Sequence, residues 1–166
     1  MAHKIERKFL LSSLPSGIDK ASKIVYERYF LRVNENDEIR IQRKGDTFYR
    51  EHKITISNFS NEIVVTSITA EDFDRLKLKA TGNIERDSYS LPNIQNATVK
   101  VYHCRFEGLI RAEVEFASVN DATHFAPPDW IGQEITDSDL GRDSRLLKIP
   151  DSEFRGLLEK ATKPTS

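Results

Sequence analysis

Short segments in which charged and aliphatic residues alternate dominate this chain of 166 residues. Residues 38–43 read Glu-Ile-Arg-Ile-Gln-Arg, and residues 112–116 read Ala-Glu-Val-Glu-Phe. Because successive side chains of a β-strand point to opposite faces, a period of two places the charged groups on one face and the apolar groups on the other. The dominant pattern therefore predicts strands rather than helices.

About eight such segments follow one another, separated by short turn-rich stretches such as residues 44–46 and 107–108. Turns this short join neighbouring antiparallel strands. We therefore expect one domain over residues 1–166, mainly β with peripheral helices (α+β), in which an antiparallel barrel or sandwich is favoured over a parallel sheet. Residues 130–136, after two prolines, are predicted as a further short strand.

Two helices are predicted at the edge of this β-rich chain. Thr69 is placed to cap the first one, with Asp72 three residues later as an acidic variant of the capping box. A closing helix is expected at about residues 150–161, because Pro150 suits a first helical position and Phe154 begins an apolar stripe.

Composition excludes several classes of function. The chain has 25 basic and 26 acidic residues, a net charge of -1, so we expect no broad nucleic-acid binding and no general attraction to acidic membranes. The charged N-terminal residues do not form a signal peptide, and no stretch approaches the length of a membrane helix. The single cysteine fits a reducing compartment. We therefore predict a cytoplasmic protein without membrane contact.

Several predicted strands carry ionisable groups on one face. On antiparallel sheets such a face is ordinarily solvated. Alternatively, the sheet closes on itself with the charged faces inward, so that carboxylates and basic groups line a polar lumen able to hold a metal and a charged anion. The spacing of the residues leaves both interpretations open. The clearest same-face pairs are Glu6 with Lys8, Arg40 with Gln42, and Glu113 with Glu115.

Residues 5–10, Ile-Glu-Arg-Lys-Phe-Leu, resemble the signature strand of the CYTH domain family, also called triphosphate tunnel metalloenzymes. That family includes thiamine triphosphatases, inorganic triphosphatases and class IV adenylyl cyclases. The resemblance continues in the same order through residues 38–41, Lys53, residues 112–116 and residues 130–136. It implies a closed eight-stranded antiparallel barrel, a tunnel with a polar lumen, and a small phosphorylated ligand inside it.

The resemblance also implies roles for individual residues. The expected phosphate-binding cations are Lys8, Arg40, Lys53 and Arg86, and Lys100 is added to them as a basic residue of this chain. The expected ligands of a divalent metal, Mg²⁺ or Mn²⁺, are Glu6, Glu113 and Glu115. Further expected lumen residues are Lys4, Gln42, Ser88, Glu134 and Tyr102. No catalytic residue is identified, and no partner protein is indicated.

The chain departs from the family pattern where carboxylates and arginines are usual. Lys4 and Lys100 stand at carboxylate positions, Gln42 and Ser88 stand at cationic ones, and an acidic pair of the strand before the first helix is replaced by aliphatic residues. We therefore expect a lumen that is less acidic than in a working triphosphatase, with one metal site retained and a second one lost.

These departures favour a sensor or receptor for a phosphorylated ligand such as a cyclic nucleotide, cAMP for example, with weak or absent hydrolysis. A cyclic nucleotide carries one negative charge and requires no metal. The alternative is an enzyme, a Mg²⁺- or Mn²⁺-dependent triphosphatase acting on tripolyphosphate, thiamine triphosphate or nucleoside triphosphates. The sequence leaves both hypotheses open, together with a pure interaction module.

Overall fold

The computed structural model describes residues 2–57 and 59–162, which form a closed barrel of eight antiparallel strands. Around the barrel the strands follow the order β1-β5-β4-β3-β2-β6-β7-β8. The predicted fold class and the eight-stranded barrel are therefore confirmed. Residues 1, 58 and 163–166 of the predicted domain lie outside the described residues. The strands are β1 (Ala2–Leu11), β2 (Asp19–Val33), β3 (Asp37–Lys44), β4 (Thr47–Thr55), β5 (Ser60–Ser67), β6 (Gly82–Ser90), β7 (Ala97–Tyr102) and β8 (Ile110–Phe116).

The first and last strands pair with each other and so close the barrel. Lys8 of β1 lies opposite Glu113 of β8, and Arg40 of β3 lies opposite Glu51 of β4. Residues that face each other across antiparallel strands share one face of the sheet. All four of these charged side chains are buried, so their face is the interior of the barrel. The polar lumen is therefore confirmed.

The helices lie outside the strand order. Helix α1 (Ala70–Lys77) begins after Thr69, whose hydroxyl oxygen accepts a hydrogen bond from the backbone N–H of Asp72 at 3.0 Å, as the capping pattern predicted. It is followed by α2 (Val119–His124), α3 (Asp143–Leu146) and α4 (Asp151–Thr162), the predicted closing helix. Within the described ranges, no helix has the length and apolar character needed to cross a membrane.

An apolar cluster closes one end of the barrel. Its strand residues continue the inward-facing rows of the barrel beyond the charged groups, and its other members come from the connection between β7 and β8 and from the segment after the last strand. The segment packs closely, because a Cβ on Gly141 would lie 1.8 Å from the carbonyl oxygen of Ile135. The strand members are Leu10, Phe30, Ile84 and Tyr102, and the later members include Ile135, Leu140, Leu146, Ile149, Phe154 and Leu158.

The prediction of a regular strand at residues 130–136 is wrong. One isolated bridge joins Glu134 to Phe9, flanked by backbone hydrogen bonds from Leu10 to Gln133 and from Ile135 to Lys8, each 2.8 Å long. The pairing of β5 with β1 ends at Ile5, which leaves the rest of that edge of β1 unpaired by β5. The segment around Glu134 forms hydrogen bonds with the backbone groups on this edge of β1 without forming a strand of its own.

Candidate functional site

The barrel interior, called the bore below, is lined by ionisable side chains from seven of the eight strands and from α3. The lining includes eight basic side chains and six carboxylates, so basic groups outnumber acidic ones by two. Charge of one sign enclosed by low-dielectric walls attracts counter-ions strongly. The cations are Lys4, Lys8, Arg28, Arg40, Lys53, Arg86, Lys100 and Arg111, and the carboxylates are Glu6, Glu38, Glu51, Glu113, Glu115 and Asp143.

Asp143 occupies the closed end of the bore. Its carboxylate lies 2.8 Å from the guanidinium of Arg28, 3.2 Å from that of Arg111 and 3.3 Å from that of Arg86, and the hydroxyl of Tyr102 donates to it at 2.6 Å. Burial by itself raises the pKa of Asp143, but the surrounding arginines outweigh it and hold that pKa well below its usual value. The carboxylate is therefore ionised and neutralises part of a three-arginine cluster.

Glu113 and Lys8 lie next to this cluster. Oε2 of Glu113 accepts two hydrogen bonds from Arg111, at 2.9 and 2.6 Å, and lies 3.6 Å from Arg86. The ammonium of Lys8 donates to the carbonyl oxygen of Gly141 at 2.9 Å and lies 3.5 Å from Glu6. The segment that closes the barrel thus also holds Lys8, because Gly141 and Asp143 both belong to it.

The wall formed by β3 and β4 contains a second charged group. Arg40 donates to Glu51 at 3.0 Å and lies 3.8 Å from Glu38, whose other oxygen is 3.7 Å from the ammonium of Lys53. In the described ranges, two buried side-chain polar atoms have no hydrogen-bond partner, Oε2 of Glu38 and Nε of Arg86. One is an acceptor and the other a donor, and such unsatisfied groups are uncommon in native interiors.

Two buried lysines of the bore have pKa values near neutrality. Burial lowers the pKa of Lys53 to about 7, with a further lowering by Lys8 that Glu38 opposes. Burial also lowers the pKa of Lys100 to about 7, against the attraction of Glu113. Desolvation disfavours the charged form of a lysine, whereas an anion beside it favours that form. Both lysines therefore gain protons readily when an anion enters.

The charged side chains almost fill the bore. The cavity between them measures about 30 Å³, which is space for about two water molecules. A phosphate chain therefore enters only if the lining ion pairs separate and the long basic side chains turn toward the ligand. A larger groove of about 630 Å³ lies outside the barrel, but its Arg7 is already bonded to Glu134 and to two backbone carbonyl oxygens.

The bore contains most of the side chains that the sequence predicted there. Gln42 accepts a hydrogen bond from Arg28 at 2.8 Å, and Ser88 accepts one from Lys100 at 2.8 Å. Glu115 lies at the open mouth with 54% of its side chain exposed. The predicted lumen position of Glu134 is wrong. Its place opposite Phe9, on the outer face of β1, lets it pair with Arg7 instead.

Five bore residues escaped prediction from the sequence: Arg28, Glu38, Glu51, Arg111 and Asp143. Glu38, Glu51 and Arg111 each lie two residues from another bore residue on the same strand, so the alternation already applied to Glu6 and Lys8 was a sufficient signal for them. Glu38, Glu51 and Asp143 also make the bore more acidic than expected. Asp143 follows no strand pattern, and only the folded chain shows it.

A divalent metal does not fit this lining. Over residues 2–57 and 59–162, no three His, Cys, Asp or Glu side chains are grouped so that they could hold a metal ion. The three predicted ligands are each paired with a protein cation instead, Glu6 with Lys8, Glu113 with Arg111, and Glu115 with Lys4. Magnesium prefers oxygen ligands in near-octahedral order, and this arrangement supplies cations where such ligands are needed.

Comparison with known proteins agrees with this architecture, although no family model matches the chain. The chain is 29% identical over 151 residues to the inorganic triphosphatase of Nitrosomonas europaea, covering 89% of this chain and 99% of that protein. It is 26% identical over 159 residues to the inorganic triphosphatase of Acetivibrio thermocellus, covering 93% and 99%. A crystal structure of an inorganic triphosphatase superposes with a TM-score of 0.64 at 27% identity, covering 88% and 99%.

A closed antiparallel barrel with an ionic interior defines this chain as a tunnel protein. The order of the strands, the charged faces turned inward and these similarities agree. In its fold and its charged interior the chain is similar to the CYTH, or triphosphate tunnel, family that its sequence motifs resemble.

Proposed function

We propose that this protein is an inorganic triphosphatase, which hydrolyses tripolyphosphate to orthophosphate and pyrophosphate inside the bore. The observation that carries the proposal is the convergence of eight cationic side chains in a bore that is closed at one end. Two relatives aligned over nearly their whole lengths are named inorganic triphosphatase. These findings favour the triphosphatase alternative over the cyclic-nucleotide receptor that was our first hypothesis.

The shape of the bore supports a linear ligand over a cyclic nucleotide. A narrow bore with a closed end accepts one end of a chain of phosphates, and each phosphate brings charge to a separate pair of cations. A cyclic nucleotide offers one charge and a bulky base. Its single phosphate would leave most of the ion pairs unused, and its base would have to displace charged side chains from a cavity of about 30 Å³.

The chemistry we propose for the bore is electrostatic. Water attacks the terminal phosphorus, the bridging P–O bond breaks, and pyrophosphate leaves with the electron pair of that bond, while the protons of the water end on the two products. The guanidinium groups of Arg40 and Arg86 stabilise the negative charge spread over the phosphate oxygens in the transition state. Among residues 2–57 and 59–162, Nε of Arg86 has no hydrogen-bond partner, so it can donate to one of these oxygens.

Glu38 is the residue we propose to orient the attacking water. Its Oε2 is a buried acceptor with no hydrogen-bond partner among the described residues, and the adjacent Arg40 and Lys53 place it beside the phosphate-binding cations. An acceptor in this position binds one proton of the water and directs its lone pair toward phosphorus.

The direct test is phosphate release by the full chain from tripolyphosphate, pyrophosphate, ATP and thiamine triphosphate, with Mg²⁺, with Mn²⁺ and with EDTA. We expect tripolyphosphate to be the best substrate and to give orthophosphate and pyrophosphate in equal amounts. Lys53 is an expected phosphate-binding cation that we propose acts with Arg40 on the phosphate oxygens, so Lys53→Met should lower kcat/KM by at least about 100-fold, as the loss of a transition-state donor does. The exposed Lys79→Met is its matched control.

Glu38→Gln tests the proposed orientation of water. It should lower kcat by at least about tenfold with little change in KM, because it weakens an acceptor for water. The exposed Glu35→Gln is its control. Turnover of tripolyphosphate no faster than in buffer, combined with tight binding of cAMP in calorimetry, would refute the triphosphatase and restore the receptor hypothesis.

A further inference from the structure

The ammonium of Lys4 lies between carboxylates at the mouth of the bore. Its Nζ is 3.1 Å from Oε1 of Glu115 and 4.0 Å from Oε2 of Glu6. This arrangement follows from the strands, because Lys4 and Glu6 share the inner face of β1 and Glu6 lies opposite Glu115 of β8. A positive charge of the protein itself is therefore built into the carboxylate group that the family resemblance assigns to a metal.

A lysine ammonium is ordinarily charged at neutral pH. Lys4 lies within ion-pair distance of Glu115 and Glu6, two of the three carboxylates expected to bind a metal. A lysine ammonium with partners of this kind supplies positive charge without the geometry that a metal demands.

The other contacts of these carboxylates leave few oxygen atoms free to bind a metal. Glu6 also lies 3.5 Å from Lys8, and Oε2 of Glu113 accepts both hydrogen bonds from Arg111. A divalent ion among these carboxylates would face three cationic side chains at short range, in surroundings where like charges repel strongly. It would also have to break the existing ion pairs.

From this geometry we infer that Lys4 is the resident cation beside Glu6 and Glu115, two of the three carboxylates that the family resemblance assigns to a metal, and that it excludes a divalent metal from them. One consequence rests on the proposed function: tripolyphosphate enters as the free anion, so Mg²⁺ that complexes the substrate in solution competes with the enzyme. The assignment of Lys4 itself is independent of hydrolysis.

Binding of Mn²⁺ to the full chain, without phosphate, tests the inference. Electron paramagnetic resonance measures free Mn²⁺ directly during a titration. We compare the wild type with Lys4→Glu, Lys4→Met and the exposed control Lys79→Met. We expect no saturable binding up to millimolar Mn²⁺ for the wild type and the control. We expect one ion per chain for Lys4→Glu, at least tenfold tighter than the wild type, and an intermediate affinity for Lys4→Met.

A second change separates a true site from a loose acidic surface. Adding Glu115→Gln to Lys4→Glu should abolish the gained site, because it removes one ligand while leaving the other carboxylates in place. Lys4 is 37% exposed at the mouth, so its variants should fold, which circular dichroism checks. Wild-type binding of Mn²⁺ as tight as that of Lys4→Glu would overturn the inference, as would folded Lys4 variants that gain no affinity.

The Mn²⁺ titration tests the role of Lys4 separately from the proposed triphosphatase activity. If tripolyphosphate is not hydrolysed but Lys4→Glu gains a Mn²⁺ site, the triphosphatase proposal fails and the role of Lys4 stands. If tripolyphosphate is hydrolysed and the wild type binds Mn²⁺ at these carboxylates, the triphosphatase proposal stands and the proposed role of Lys4 fails.

Discussion

Binding of tripolyphosphate should draw protons into the bore, because two of its lysines are only partly charged without a ligand. The pKa of Lys53 and that of Lys100 are each about 7, against an ordinary value of 10.5. A polyanion beside them favours the charged form and returns both pKa values toward the ordinary one. Since the bound complex holds more protons than the free protein, affinity must fall as pH rises through 7.

The size of the effect follows from these pKa values. At pH 8 a lysine of pKa about 7 is about one-tenth protonated, so each takes up about 0.9 proton and the pair takes up about two. At pH 6 the pair takes up about 0.2 proton. Recharging costs about 1.4 kcal/mol per lysine at pH 8. Together the two lysines should weaken binding about 100-fold between pH 6 and pH 8.

Isothermal titration calorimetry in EDTA measures this uptake. The slope of the observed enthalpy against the ionisation enthalpy of the buffer is the number of protons exchanged. Lys53→Met should lower the uptake at pH 8 by about one proton, whereas the exposed Lys79→Met should leave it unchanged. This comparison also subtracts protons exchanged by the ligand itself. Equal uptake by the wild type and Lys53→Met would refute the reasoning.

Three further predictions concern stability. Asp143→Asn leaves three buried arginines without their carboxylate and should lower the free energy of unfolding by about 3–5 kcal/mol. Its urea midpoint should be lower than that of the exposed control Asp139→Asn. An unchanged midpoint would contradict this prediction. Gly141→Ala places a Cβ 1.8 Å from the carbonyl oxygen of Ile135. It should lower the thermal midpoint more than Asp139→Asn does, since backbone must move to relieve the contact. An unchanged midpoint would show that the close packing at Gly141 does not contribute to stability. Burial raises the pKa of Glu51, but Arg40 and Arg28 outweigh it, so that pKa is about 2 against an ordinary 4.5. About 3 kcal/mol of stability should therefore be present above pH 4.5 and be lost as pH falls toward 2. Acid unfolding of Glu51→Gln should lack this loss. A Glu51→Gln curve parallel to that of the wild type would oppose the assignment.

The inward-facing rows show what alternation and the family resemblance each contribute. The resemblance implied that Lys8, Arg40 and Lys53 are cations of a polar lumen, and the structure places all three in the bore. Their faces follow from the strand period, which depends on neighbouring residues only. Arg28 and Arg111 obey the same rule and were missed because each lies in a run rich in apolar residues, where the charged residue is easily assigned to solvent.

Glu134 and Asp143 show where local pattern fails. Glu134 carries a charge in a segment that resembles the family, but it follows the outer face of β1 and bonds to Arg7. Asp143 lies on a short helix outside every strand, yet it enters the bore and meets three arginines. The destination of each side chain depends on packing between segments more than 100 residues apart in the chain.

The sequence by itself determined the strands, their two faces and the mixture of charges that each inner face carries, because these properties repeat every two residues along the backbone. Only the tertiary structure decided that the charged faces turn inward, that the segment after β8 closes one end, and that Lys4 lies among the carboxylates. Those outcomes require β1 to pair with β8 across the length of the chain. They also require each buried charge to find an opposite charge, a condition that no single segment can satisfy alone.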